Sequence, residues 1–257
     1  MDSFVKTAVD GHIGWITLND PDRLNPVTFE RITAINAAAA EMSARNDVHV
    51  VVVTGAGRAF CAGADLSGDD NFLGRNAPPA SGSFADAEGL WTLTAVRQPV
   101  IAMINGPAVG YGFELALQAD IRVAAASARL GHPAVKFGTI TDTAAATWLL
   151  PRLVGWGIAA EILYAGSLYS AEQALSMRLV NHVVPDRELR DFTANLASTI
   201  AANSSWAVQT TKTLMIQALQ ENAHASVMRQ FIKVNQGDPT YDPSPHLEPF
   251  QKVPRPI

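Results

Sequence analysis

Three apolar runs constrain the fold of this chain more than any other feature. Residues 48–55 read VHVVVVTG, and similar runs occupy residues 99–106 (PVIAMING) and 119–126 (ADIRVAAA). Continuous β-branched and aliphatic residues, without alternating polar positions, are typical of strands that are buried on both faces. Segments with helical character separate these runs along the chain. The pattern therefore predicts an α/β fold in which the three runs are strands of one sheet.

Local signals predict further elements on either side of these strands. Residues 4–9 and 12–18 are predicted to form a β-hairpin. Thr28 precedes a long alanine-rich segment and is predicted to cap a helix over residues 29–45. Ser170 stands three positions before a glutamine, which is a capping-box pattern at the start of another helix.

Changes in composition along the chain suggest how it is organised. Residues 67–89 are rich in Gly, Ser, Pro and Asp and predict a long surface loop, with a helix expected around residues 89–97. The second half looks mostly helical, and residues 238–257 form a proline-rich tail that we expect to lie as an arm across a surface. We therefore predict a core domain over residues 1–190 and a helical C-terminal region with the arm over residues 191–257.

Composition also argues against several classes of function. The 257 residues are 48% hydrophobic and carry a net charge of −5 without a dense Lys/Arg cluster, so we expect neither a nucleic-acid partner nor an anionic membrane surface. No apolar run approaches the roughly 20 residues of a membrane span. The single cysteine and the absence of a signal-peptide pattern predict a cytoplasmic protein. The six histidines lack the spacing of a metal site, so no metal is expected.

Two loops of small residues follow two of the predicted strands. The segment GAGRAFCAGADL contains the first loop, and NGPAVGYGFEL contains the second. Small residues allow backbone N–H groups to approach a ligand closely, and the first N–H groups of a helix lack intrahelical acceptors. Each loop alone could be a simple tight turn. Two such loops at the ends of strands in one sheet favour a convergent pair of donors, which is an oxyanion hole.

At this level of detail the chain resembles the crotonase family, also called the enoyl-CoA hydratase/isomerase superfamily. The segments RLNPVT, GAGRAFCAGADL, PVIAMINGPAVGYGFELALQADIRVAAASARLG, LLPRLVG and SAEQALSMRLVNHVVP follow the order and spacing of that family over nearly the whole chain. The resemblance implies the crotonase fold with repeated ββα turns, a C-terminal region that mediates trimerisation, and assembly as a homotrimer or as a hexamer of paired trimers. It also implies an acyl-CoA thioester as the substrate, with no cofactor beyond the CoA that the substrate carries.

The resemblance also assigns residues to the site. It implies that the backbone N–H groups of Ala64 and Tyr111 form the oxyanion hole, although many relatives have glycine in place of Tyr111. Residues implied in contacts with the substrate or CoA are Arg23, Leu24, Ala62, Asp65, Leu66, Gly110, His132, Phe250 and Lys252. Structural roles are the alternatives for three of them: Asp65 as a residue that orders its loop, His132 as a hydrogen-bonding histidine, and Lys252 as a solvated charge.

A lone carboxylate, Glu114, follows the second loop. Burial in an apolar first turn should raise its pKa, and the N-terminus of the helix should lower it, so we expect a base that acts near neutral pH. The alternative is a glutamate that only complements the helix dipole. In the hydratases that this chain resembles, a glutamate at this position helps to activate water for addition to the C2–C3 double bond.

The resemblance fails at the second acid of the hydratases. Ala134 stands where they carry another glutamate, and alanine cannot transfer a proton. Asp142 stands close to the position at which some isomerase-like relatives place an acid, with a spacing one residue too long. Asp142 is therefore either a second catalytic residue or a helix cap.

We expect an acyl-CoA enzyme that hydrates a 2-enoyl-CoA through an enolate held in the oxyanion hole, with Glu114 and Asp142 as its catalytic residues. Because of Ala134, double-bond isomerisation is the first alternative. An acyl-CoA-binding protein of low turnover is the second, and cleavage of a C–C bond or of the thioester is the third. The sequence does not identify the acyl group.

Overall fold

The computed structural model describes residues 3–67, 92–141, 146–219, 222–234, 236–238 and 240–242. Its strands are β1 Val5–Asp10, β2 Ile13–Leu18, β3 Val50–Gly55, β4 Val100–Ile104, β5 Ala108–Val109, β6 Ile121–Ala125, β7 Arg129–Gly131, β8 Tyr169–Ser170 and β9 His182–Val184. Its α-helices are α1 Phe29–Ala44, α2 Tyr111–Gln118, α3 Ala146–Val154, α4 Trp156–Ala165, α5 Ala171–Ser176, α6 Leu189–Ala201, α7 Ser205–Ala218 and α8 Ala223–Val234.

The main sheet has six strands in the order β1-β2-β3-β4-β6-β9. The β1–β2 hairpin is antiparallel, as predicted, and every later pair in this sheet is parallel. The three apolar runs form β3, β4 and β6, so the prediction that they are strands of one sheet is confirmed. Because the later strands are parallel, the loops that leave β3 and β4 emerge at the same edge of the sheet, where the site is built.

Burial on both faces of β3 explains its unbroken run of valines. Val51 and Val53 belong to one hydrophobic cluster together with residues of α1, whereas Val50 and Val52 belong to a second cluster together with residues of α6. Successive side chains of a strand point to opposite faces, so each face needs its own apolar set. Each fully buried valine stabilises the fold by about 1.5–3 kcal/mol relative to an exposed one.

A second, three-stranded sheet with the order β5-β7-β8 lies beside the start of α2. Strand β5 pairs in parallel with β7, with Val109 opposite Gly131. This pairing places the end of β7 next to the loop that precedes α2.

The predicted helix caps are confirmed. The Thr28 side chain accepts a hydrogen bond from the N–H of Arg31 at the start of α1. Ser170 and Gln173 form a reciprocal capping box at the start of α5. The helix expected around 89–97 is wrong over its described part, because residues 92–95 form a turn.

The chain divides into two compact units, Met1–Ala201 and Ala202–Ile257. The first unit includes α6, because Leu189 and Ala197 of that helix are buried against the main sheet. The predicted division after residue 190 would separate α6 from this sheet, and the assignment of domains stays a prediction. In the second unit α7 and α8 contact each other, and the arm beyond residue 242 lies outside the described residues. None of the helices in the described ranges is long and apolar enough to span a bilayer.

Candidate active site

The two predicted loops lie directly against each other. The N–H of Cys61 donates to the carbonyl of Pro107 at 3.1 Å, and the N–H of Val109 donates to the carbonyl of Cys61 at 2.9 Å. Gly63 has a φ of +94°, and a Cβ built there would lie 2.7 Å from the Val109 carbonyl oxygen. A Cβ on Gly110 would lie 3.8 Å from the Cα of Gly63. Only glycine permits this approach at residue 63, so close packing against the second loop requires a glycine at this position of the first loop.

Each loop presents one backbone donor that the protein itself does not use. Within the described residues, the N–H groups of Ala64 and Tyr111 take part in no hydrogen bond. Their neighbours are paired: Asp65 donates to the Val27 carbonyl at 2.8 Å, and Gly110 donates to the Gly131 carbonyl at 3.1 Å. Tyr111 is the first residue of α2, where an N–H has no intrahelical acceptor. Two unused donors on adjoining loops are the groups from which an oxyanion hole is built.

Two buried or half-buried amide side chains hold the first loop in place. The Asn25 amide group donates to the carbonyls of Ala59 and Phe60 at 2.9 and 3.3 Å, and its own backbone has a φ of +56°. The Asn105 amide group donates to the carbonyl of Ala59 at 3.1 Å, and its oxygen accepts from the N–H of Gly55 at 3.2 Å. Sequence reasoning missed these roles. The tolerance of asparagine for a left-handed backbone was the available signal at residue 25.

Glu114 is fully buried in the first turn of α2, where its N–H donates to the carbonyl of Gly110 at 3.0 Å. Its Oε1 lies 3.5 Å from Nε2 of His132, whose side chain is also buried. Burial lowers the pKa of His132 to about 4, so its imidazole is neutral at pH 7. A buried carboxylate therefore stands next to an uncharged imidazole, one helical turn from the Tyr111 donor.

The side chain of Tyr111 packs into the hydrophobic core rather than standing at the surface. Burial raises the pKa of its phenol well above the ordinary value, so the group stays neutral. The helix that follows is held tightly against the first loop, because a Cβ on Gly112 would lie 2.3 Å from the Cys61 carbonyl oxygen. The tyrosine thus anchors the start of α2 through its side chain while its backbone N–H remains available.

A family model described as enoyl-CoA hydratase/isomerase matches residues 9–237. The chain belongs to this family. A protein of Mycobacterium tuberculosis that is named a probable enoyl-CoA hydratase is 42% identical over 182 residues, which is 71% of this chain and 70% of that protein.

Solved structures agree with the family assignment. A crystal structure of an enoyl-CoA hydratase subunit from Geobacillus kaustophilus superposes with a TM-score of 0.86 at 29% identity, covering 99% of this chain and 98% of that one. A monofunctional enoyl-CoA isomerase of Mycobacterium smegmatis superposes with a TM-score of 0.70 at 28% identity, covering 88% and 98% of the two chains. The predicted α/β crotonase fold with a helical C-terminal region is confirmed.

In this member of the enoyl-CoA hydratase/isomerase family, Arg23 and Asp65 form an ion pair beside the first loop. The guanidinium of Arg23 lies 2.5 Å from the Asp65 carboxylate and also donates to the Ser67 hydroxyl at 2.7 Å. Hydrogen bonds from the Ser67 hydroxyl and N–H, together with Arg23, lower the pKa of Asp65 to about 2. Asp65 therefore orders its loop, which is the structural role expected for it, and its contact with substrate stays a prediction.

Two other residues predicted to contact CoA, Leu24 and Ala62, are joined by a hydrogen bond beside this loop. Leu24 has a φ of +67°, and its carbonyl accepts a hydrogen bond from the N–H of Ala62 at 3.0 Å. Leu66 is 50% exposed, which is unusual for a leucine and leaves an apolar surface at the rim of the loop.

Ala134 is buried at the start of a short 3-10 helix, Ala134–Phe137, close in sequence to His132. The second acid of the hydratases is therefore absent from this position of the family member. Asp142, Phe250 and Lys252, as well as most of the loop predicted over 67–89, lie outside the described residues. In the ranges that are described, no three His, Cys, Asp or Glu side chains are grouped as metal ligands would be.

Proposed function

We propose that this enzyme adds water to the double bond of a 2-enoyl-CoA thioester. One observation carries the proposal: two unused backbone donors stand on adjoining loops, and a buried carboxylate follows one of them by a single helical turn. The names of the hydratase relatives support the same activity.

The N–H groups of Ala64 and Tyr111 would hold the thioester carbonyl oxygen and stabilise the negative charge that it gains as an enolate forms. Glu114 would accept a proton from water while the water oxygen bonds to C3 and the π electrons move toward the carbonyl. Return of that proton to C2 completes the hydration and restores the carboxylate. The same carboxylate can serve both steps, and we propose Asp142 as the further catalytic residue that compensates for Ala134.

Double-bond isomerisation is the second candidate, and Ala134 is the observation that favours it. Migration of the double bond needs one base that removes a proton from C4 of a 2-enoyl thioester, or from C2 of a 3-enoyl thioester, and returns it at the other carbon. One carboxylate and an oxyanion hole are enough for that exchange. The similar isomerase structure from Mycobacterium smegmatis shows that the fold supports this reaction.

The test measures hydration, bond migration and release of free thiol separately, with 2-enoyl-CoA and 3-enoyl-CoA thioesters of several chain lengths. Ala64→Pro removes one donor and should lower turnover by about 10²-fold or more. Glu114→Gln should abolish turnover while preserving ligand affinity, because the amide keeps the shape but cannot accept the proton. Glu161→Gln, at an exposed position of α4, is the matched control and should leave turnover unchanged.

Ala134→Glu separates the two candidates. In a hydratase that lacks its second acid, the new carboxylate should raise the rate of hydration. In an isomerase whose proton path runs through Glu114 and Asp142, a new carboxylate nearby repels their charge and should not help. Wild-type rates in Glu114→Gln would contradict the role of Glu114 as the base, whereas CoA-thioester binding without hydration, bond migration or thiol release in the wild-type protein would leave an acyl-CoA-binding protein as the remaining account.

We also propose a cytoplasmic homotrimer or hexamer with no cofactor beyond the substrate's CoA. One face of α8 supports association, because it carries several large apolar side chains that are about half exposed or more. These side chains belong to Val227, Met228, Phe231, Ile232 and Val234. An exposed apolar face of this size marks an interaction surface. Phe250 and Lys252 of the arm are proposed to approach CoA, and light scattering would detect the assembly.

A further inference from the structure

One backbone hydrogen bond places two buried side chains of the site beside each other. The N–H of Gly110 donates to the carbonyl of Gly131 at 3.1 Å, at the point where β5 and β7 pair. His132 directly follows Gly131, and Glu114 lies one helical turn beyond Gly110, to whose carbonyl its N–H donates. The contact between the two side chains is therefore built into the pairing that also orders the second loop.

The two side chains are matched in burial and complementary in chemistry. Nε2 of His132 lies 3.5 Å from Oε1 of Glu114, and the two residues are 5% and 0% exposed. A neutral imidazole carries one N–H, and a carboxylate only accepts, so the ring can serve the pair by donating from Nε2. The distance exceeds that of an ordinary hydrogen bond, and contacts of this kind often shorten when a ligand is bound.

The surroundings of His132 differ from those of a histidine held for structural reasons. Buried ring nitrogens of structural histidines normally have hydrogen-bond partners. Within the described residues, Nδ1 of His132 has no hydrogen-bond partner on another residue, and the polar group recorded next to its other nitrogen is Glu114.

We propose that His132 is a positioning residue, which donates its Nε2–H to Glu114 and keeps that carboxylate ionised and oriented for proton transfer. The proposal rests on the proposed function, since it assigns Glu114 the role of the base. A hydrogen bond to the ionised form of a carboxylate favours that form. Because Ala134 stands at the position of the hydratases' second acid, the reaction depends strongly on the ionisation of Glu114.

Two other titratable groups near Glu114 do not change charge in the range of an assay. Burial raises the pKa of the Cys61 thiol to about 12 and that of the Tyr111 phenol further still. Arg31, whose charge acts on Cys61, forms an ion pair with Asp20 at 2.7 Å. As far as these described groups are concerned, a change in the acid limb of the pH profile on mutation of His132 reports on the pair itself.

The test compares kcat/KM against pH for the wild-type enzyme, His132→Met and His132→Gln. Methionine fills a similar volume without a donor, so the acid limb should move to higher pH by about one unit or more. At pH values below the limb, kcat/KM should therefore fall by about tenfold relative to the wild-type enzyme. Glutamine restores a donor, so its limb should lie within about half a unit of the wild-type limb. His182→Gln, an exposed histidine in β9, is the matched control and should leave the profile unchanged.

A purely structural role predicts a different result, in which His132→Met lowers activity by the same factor at every pH. That outcome, or a glutamine variant no better than the methionine variant, would overturn the proposal. If His132→Met does not fold, His132→Leu takes its place in the comparison.

Infrared spectroscopy tests the pair without turnover. The carboxylic acid C=O band that disappears in Glu114→Gln belongs to Glu114. In His132→Met this band should persist to a higher pH than in the wild-type protein, and the difference should match the shift of the acid limb. If this shift occurs but no enoyl-CoA thioester is turned over, the proposed function fails and the pairing stands. If turnover occurs but neither the band nor the acid limb moves, the pairing is wrong and the proposed function stands.

Discussion

The two donor loops do similar work but are held in place by different means. The loop that carries Ala64 is fastened by polar side chains from elsewhere in the chain, chiefly Asn25 and Asn105, and by the Arg23–Asp65 pair at its rim. The loop that carries Tyr111 is fastened by backbone pairing and by a helix whose eight residues are all buried. The first loop can therefore be loosened in graded steps by changing side chains, whereas the second responds mainly to steric changes in its backbone.

The largest expected effect comes from the second loop. In Gly112→Ala the new Cβ would lie 2.3 Å from the Cys61 carbonyl oxygen, so the two loops must separate. Overpacking of this kind should lower the free energy of unfolding by about 3 kcal/mol and also reduce turnover. Urea denaturation and steady-state kinetics measure the two effects.

Gly157→Ala is the matched control, because this glycine lies in α4 and a Cβ there would meet nothing within 4 Å. Alanine is the better helix former, so the free energy of unfolding of this variant should rise by about 0.5–1 kcal/mol. If both glycine variants changed stability by the same amount, tight packing of α2 on the first loop would be contradicted.

A smaller effect is expected from Asn25→Ala in the first loop. The substitution removes several hydrogen bonds to buried carbonyls and places alanine at a φ of +56°. The free energy of unfolding should fall by about 2–3 kcal/mol, and turnover should fall because the Ala64 donor is no longer held in place. Chemical denaturation combined with kcat measures both.

Asn19→Ala removes a single exposed hydrogen bond to the Ser3 carbonyl and serves as the control. Its effect should stay within about 0.5 kcal/mol, with normal turnover. Unchanged kcat in a folded Asn25→Ala variant would mean that side chains do not hold the first loop.

The smallest effect concerns the rim of the first loop and depends on pH. The pKa of Asp65 is lowered to about 2, mainly by the Ser67 side chain and N–H and then by Arg23. A carboxyl whose folded pKa lies below its unfolded value stabilises the protein above the unfolded pKa and loses this contribution as the pH falls toward 2. Because Arg23 is partly exposed, screening limits the contribution to on the order of 1 kcal/mol.

Ser67→Ala should remove more of this acid-dependent stability than Arg23→Ala, and the effect of both substitutions should shrink as the pH falls toward 2. Urea denaturation between pH 2 and pH 7 measures the difference. An unaltered pH dependence in both variants would show that these contacts do not set the ionisation of Asp65.

Several features of the molecule followed from the sequence because they depend on short stretches of it. The unbroken valines of β3 predicted a strand buried on both faces, and its two sets of side chains do lie in separate clusters. The caps at Thr28 and Ser170 are local hydrogen bonds between residues three apart, so they could be read directly. The two small-residue loops were recognisable as backbone donors for the same reason, and the family resemblance named the site around Glu114.

What only the tertiary structure decided depends on contacts between residues far apart in the chain. The fit of Gly63 against the Val109 carbonyl, the hydrogen bonds of Asn25 to the first loop and the approach of His132 to Glu114 all join residues far apart in the sequence, so no local pattern encodes them. The sequence determined which groups the site contains, because residue types and helix starts are local properties. The fold determined which of these groups touch, because parallel strands bring their ends to one edge regardless of the length of chain between them.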